Sequence, residues 1–162
     1  MNIEFTLNGL QHKVTITSVE RAIDVLIKQC GIKSLAAECL DGHCGKCLIL
    51  LDGKSAYSCI MPAFLLRDRR VETIEHFTKR HEYDLLVAEL HRYSSQSCSG
   101  YHSAIALMGM MLLQKTKAPQ TDEILDALEN THCNCLDPAD FVAAVLNAYQ
   151  KLRTTRKQYE SE

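Results

Sequence analysis

The placement of cysteines constrains this chain more than any other feature. It has eight cysteines in 162 residues. Seven fall into two groups: Cys39, Cys44, Cys47 and Cys59 in the first half, and Cys98, Cys133 and Cys135 in the second. Cys30 stands apart. Thiols used simply as small buried hydrophobes would not gather this way. A disulfide framework belongs to small secreted chains that cannot build a core. Here 46% of the residues are hydrophobic, and residues 1–9 show neither the basic nor the apolar region of an export signal. The expectation is a cytoplasmic protein whose reduced, clustered thiols bind metal.

The first group has the spacing C-x4-C-x2-C-x11-C, the plant-type arrangement for a [2Fe–2S] cluster. Two irons bridged by sulfides need four thiolates around a small volume. Here three come from one tight loop and the fourth from a neighbouring strand. Gly42 and Gly45 lie inside the loop, where the backbone must approach the cluster and adopt positive φ. Loop amides can then hydrogen-bond the sulfurs and tune the potential. Structural zinc sites use two short cysteine pairs, which this spacing lacks. Asp41 and His43 sit between the ligands but are not needed to complete the sulfur count.

Hydrophobic periodicity divides the chain. Ile3, Phe5 and Leu7 alternate with polar residues, Asn8-Gly9 supplies a hairpin signal, and Val14 and Ile16 continue the pattern. Thr17 to Glu20 has the form of a capping box. Val19, Ala22, Ile23, Leu26, Ile27 and Cys30 then share one helical face, with Gly31 as the stop. Cys47 to Leu51 reads as a buried strand, Asp52-Gly53 as a turn, Tyr57 to Cys59 as the beginning of the return strand, and Val71 to Ile74 as a last short strand. Beyond that the period becomes helical, with helices expected over 84–91, 103–115, 121–130 and 138–152. Thr121 is the expected N-cap of the third, and Pro138 opens the fourth. The expected organisation is α+β: a strand-rich unit over 1–76, a polar linker over 77–84, a helical unit over 85–153 and a polar tail over 154–162.

A formal net charge of −2 gives no basic footprint for nucleic acid or an anionic membrane. The longest near-apolar run, 104–113, is half of the roughly 20 residues a bilayer span needs, so it reads as a buried helix. No Ser-His-Asp order, phosphate loop or carboxylate pair stands out. No catalytic residue is expected, and the chain reads as an electron carrier.

The segment Cys39-Leu-Asp-Gly-His-Cys-Gly-Lys-Cys47, with Asp52-Gly53, Ser58-Cys59, Pro62-Ala63 and Val71 to Glu75, resembles the first-cluster region of the iron–sulfur subunit of the molybdenum hydroxylases, the xanthine dehydrogenase and aldehyde oxidoreductase family. The likeness continues through Pro119, Ile124, Ala127, Leu128, Cys133-Asn-Cys135 and Phe141 to Val145, so it covers roughly residues 3 to 150. It implies a β-grasp plant-type ferredoxin domain followed by a four-helix domain with a second [2Fe–2S] cluster. It also implies a molybdopterin-binding large subunit and an FAD-binding medium subunit as partners. Electrons would pass from the molybdopterin site through the clusters to the flavin or another acceptor, while the molybdenum subunit hydroxylates a heterocycle or aldehyde.

The sequence departs from the family at the second group. The family spacing there is C-x2-C-x31-C-x-C. Cys98, Cys133 and Cys135 match, but Tyr101 stands where the remaining cysteine belongs. Three readings follow. A second cluster forms with Tyr101 or His102 as fourth ligand, and a neutral imidazole there would raise the potential, as in Rieske centres. Alternatively the cluster is lost and the thiols are vestigial or bind zinc, with His102 or His132. Or the backbone rearranges to recruit another group. Two alternatives to the subunit role follow as well: a single-cluster interaction or assembly module with a degenerate helical domain, and a free-standing ferredoxin.

Overall fold

The computed structural model describes residues 1–93, 102–115, 117–132 and 136–160. Among these, five strands form one sheet and five α-helices accompany it, an α+β arrangement as the change of period predicts. β1 (Asn2–Leu7) and β2 (Leu10–Thr15) pair antiparallel. Asn8 and Gly9 turn them with φ of 51° and 85°, the two positive values a tight hairpin turn requires. α1 spans Ala22–Lys28. β3 (Leu48–Leu51) and β4 (Lys54–Tyr57) form a second hairpin across Asp52-Gly53, and β5 (Arg70–Glu72) completes the sheet in the order β2-β1-β5-β3-β4. β5 lies parallel to β1 and antiparallel to β3. The remaining helices are α2 (His81–Tyr93), α3 (His102–Leu113), α4 (Thr121–Glu129) and α5 (Pro138–Glu160).

β3 explains how the halves join. Successive side chains of a strand point to opposite faces. Ile49 therefore packs with Phe5, Val25 and Leu26 on the α1 side. Leu48 and Leu50 pack instead with Ile74, Phe77 and the helices. A strand covered on both faces reads as a continuous apolar run, which is why Leu48 to Leu51 shows no alternation. α3 is the helical counterpart. Ala104 to Met110, Leu112 and Leu113 are all buried, because α3 touches α2, α4, α5 and β3. A helix apolar all round is a buried one, as the run at 104–113 predicts.

Several boundaries differ from the periodicity. α1 does not start from a cap at Thr17: its N-cap is Arg21, and Val19 is 88% exposed. The first helical amides are taken by a neighbouring segment, Ala22 N–H donating to Met61 O (2.8 Å) and Ile23 N–H to Ser58 O (3.0 Å). That pairing holds residues 17–21 out of the helix, and the Glu20 carboxylate accepts from the Thr17 amide instead. The return strand starts directly after the turn and ends at Tyr57 rather than beginning there. The last strand ends at Glu72, and a 3-10 turn runs over Ile74–His76. α2 begins at His81, within the polar stretch, and Phe77 at the head of that stretch is buried. Gln120 rather than Thr121 is the N-cap of α4, its amide donating to Glu123 Oε2 at 3.0 Å. α5 continues through the polar tail to Glu160, where Lys, Arg, Gln and Glu are good helix formers. Cys30 lies past the end of α1, half-buried against the α1-side core.

Candidate metal centre

The first cysteine group occupies the connection between α1 and β3 and the end of the β3–β4 hairpin. The base of the loop is closed by Ala36 N–H donating to Lys46 O (3.2 Å) and by the Lys46–Glu38 ion pair (2.6 Å). Inside it, Leu40, Gly42 and Gly45 have φ of 60°, 80° and 78°. Repeated left-handed residues curl the chain so that successive amides turn inward. One result is visible: the Cys44 N–H donates to Cys39 Sγ at 3.4 Å. The Asp41 carboxylate accepts from the His43 amide (3.0 Å) and fixes the outer turn. Gly42 also needs its missing side chain, since a Cβ there would sit 2.9 Å from Ile60 Cδ1.

Cys47 and Cys59 form the inner wall. Both are buried, and they pack with Ile23 of α1. Their sulfurs lie 3.2 Å apart, yet both are free thiols. Ser58 between the strands' ends donates its hydroxyl (2.7 Å) and its amide (3.2 Å) to Cys47 O, which sets this approach. Cys39 and Cys44 are half-buried.

The electrostatics of the cysteines differ by position. Burial pushes the Cys47 thiol up to about 12, because a lone thiolate is poorly solvated there. The amide of Cys44 holds Cys39 below the usual thiol range. A buried thiol of this kind gives up its proton when a cation compensates the charge. Tyr57, beside these sulfurs, is raised by burial first and by their negative charge second. Among the described residues, no three His, Cys, Asp or Glu side chains are placed to hold one metal ion. A single ion needs its donors on one centre, whereas a two-iron cluster spreads them two to an iron.

Cys98, Tyr101, Cys133 and Cys135 lie outside the described residues. His102, the other candidate ligand, opens α3. It is half-buried, with its ring 5.9 Å from that of His91, and burial pushes its pKa down. His132 is exposed and stacks on His43, ring centroids 4.6 Å apart and planes 17° apart.

Sequence reasoning missed the residues that join the first loop to the end of α4. Tyr57 Oη donates to Asn130 O at 3.2 Å. A Cβ on Gly45 would lie 2.5 Å from Asn130 O and 2.7 Å from Thr131 Cα, so the two backbones touch. Contacts between residues so far apart in sequence leave no periodic trace. A glycine beside two clustered cysteines was the one available signal.

No family model matches the chain. It is similar to the nicotine 6-hydroxylase small subunit of Paenarthrobacter nicotinovorans, 26% identical over 148 residues, covering 91% of this chain and 89% of that one. It is 24% identical over 151 residues to the nicotinate dehydrogenase small FeS subunit of Eubacterium barkeri, covering 93% of this chain and 96% of that one. In fold it matches a chain of quinoline 2-oxidoreductase from Pseudomonas putida 86 with a TM-score of 0.80 at 22% identity, covering 95% of this chain and 96% of that chain. Over nearly its whole length the chain is therefore similar to small subunits of a nicotine hydroxylase and a nicotinate dehydrogenase, the latter named as an FeS subunit, in line with the resemblance its motifs carry.

Proposed function

We propose that this chain is the electron-transfer subunit of a multi-subunit molybdenum hydroxylase. One observation carries the reading: four free cysteines on a loop and a hairpin, two of them buried with sulfurs 3.2 Å apart and no disulfide between them. The donor set fits a thiolate-bound group. Two thiolates on one tetrahedral metal, each about 2.3 Å from it, stand roughly 3.7 Å apart, a small relaxation from this spacing. Three left-handed residues already shape the loop, and an amide already points at Cys39.

Cys39, Cys44, Cys47 and Cys59 would hold one [2Fe–2S] cluster in a β-grasp ferredoxin-type domain over 1–76. The polar stretch 77–84 would link it to a four-helix domain over 85–153. There Cys98, Cys133 and Cys135, with Tyr101 or His102, would hold a second. Bound there, such groups accept and release one electron at a time, with potentials on the order of −400 mV for plant-type centres. The chain's own part is to fix the thiolates, screen Cys47 and Cys59 from water and set the potential through amide hydrogen bonds. Molybdopterin and FAD would sit on partner subunits, in the cytoplasm. Among the described residues no helix is long and apolar enough to cross a membrane.

A redox titration followed by EPR tests the reading. Two distinct one-electron signals are expected. A single signal would favour a one-cluster interaction module, and none would refute electron transfer.

A further inference from the structure

The first cysteine loop does not end in solvent. Three contacts bind it to one short segment: Tyr57 Oη to Asn130 O at 3.2 Å, the Gly45 backbone against Asn130 and Thr131, and the His43 ring over the His132 ring at 4.6 Å. All three land on the residues immediately before Cys133. His43 in turn immediately precedes Cys44. Each imidazole is thus one backbone step from a cysteine of a different group, and the two rings meet.

The pair is not a by-product of core packing, since both rings are exposed. His132 also holds a φ of 41°, a conformation uncommon for a residue with a side chain. Such outliers persist where the surroundings over-determine them, often at functional sites. On the other side, the Asp41 carboxylate accepts from the His43 amide and fixes that turn.

We propose that the stacked rings of His43 and His132 form the crossing by which electrons pass between the two cysteine groups, and that both are positioning residues for that transfer. This rests on the reading that both groups carry iron–sulfur centres. The step moves one electron: the centre at the second group is oxidised by one, the centre at the first is reduced by one, and no bond is made or broken. Electronic coupling falls steeply across empty gaps and less steeply through atoms in contact. Two π-systems face to face, with centroids 4.6 Å apart and each one residue from a cysteine of a different group, shorten the gap.

The test uses the full chain, purified anaerobically with its clusters. Iron content and EPR signals of the wild type are read first. One signal with two irons would remove the two-centre reading and this proposal with it. Given two signals, His43→Ala and His132→Ala are examined for electron equilibration after a one-electron flash reduction. Expected is a several-fold slower equilibration with both EPR signals retained, and recovery of the rate in His43→Phe and His132→Phe, which restore a ring. Should His132→Ala lose iron, His43→Ala decides alone. Wild-type rates in alanine variants that keep both signals would overturn the proposal.

Discussion

At the scale of single residues, the four cysteines of the first group are not equivalent. In folded, metal-free protein Cys39 is held below the usual thiol range by an amide, while burial holds Cys47 at about 12. The thiolate is the reactive form, so as the pH rises Cys39 ionises before Cys47 does. Iodoacetamide labelling read by mass spectrometry is expected to modify Cys39 well before Cys47, and equal rates would contradict the assigned environments. Cys59→Ser removes a thiolate from the buried pair and is expected to cost the first centre its iron and its EPR signal. Retention of both would remove Cys59 from the ligand set. The grouping of these cysteines was legible in the sequence because they lie close together along the chain. The His43–His132 stack was not. His43 read only as a residue between the cysteines, not needed for the sulfur count, and His132 as a possible zinc ligand, because nothing local tells one exposed histidine that another faces it.

At the scale of elements, α2 and α5 are joined by a buried carboxylate. The Glu89 side chain is 0% exposed and pairs with Lys151 of α5 (2.5 Å) and Arg92 (3.2 Å), while Asn147 donates to it at 3.4 Å. The Lys151 bond, with Arg92 behind it, holds Glu89 below its ordinary 4.5. A depressed carboxylate stabilises the fold above its unfolded pKa, and the contribution fades as pH falls through the folded value. Thermal melts are expected to show wild type losing stability relative to Glu89→Gln as the pH falls below the ordinary 4.5, with the variant about 1–3 kcal/mol less stable near neutrality. Parallel pH curves would contradict this. The elements themselves were largely legible. Asn8-Gly9 marked its hairpin, and the unbroken apolar runs of β3 and α3 marked a strand and a helix covered on every side. The start of α1 was not legible, because carbonyls of Met61 and Ser58 decide it. Nor was the length of α5, since polar helix formers carry no periodic signal.

At the scale of the whole molecule, the sheet and the helices share one core through Leu48 and Leu50, and the first cysteine loop is pressed against the end of α4. Gly45→Ala tests that contact. Its Cβ would meet backbone rather than a movable side chain, at 2.5 and 2.7 Å, and its φ of 78° disfavours any L side chain. A loss of about 1–3 kcal/mol is expected, with weakened iron retention at the first group. A variant as stable as wild type would show that the loop and α4 part freely.

The central claim is that thiolates of this chain bind iron with sulfide, and metal and acid-labile sulfide analysis of anaerobically purified protein tests it most directly. Four irons and four sulfides per chain are expected. A colourless protein holding zinc, or cystines in place of free thiols, would contradict it.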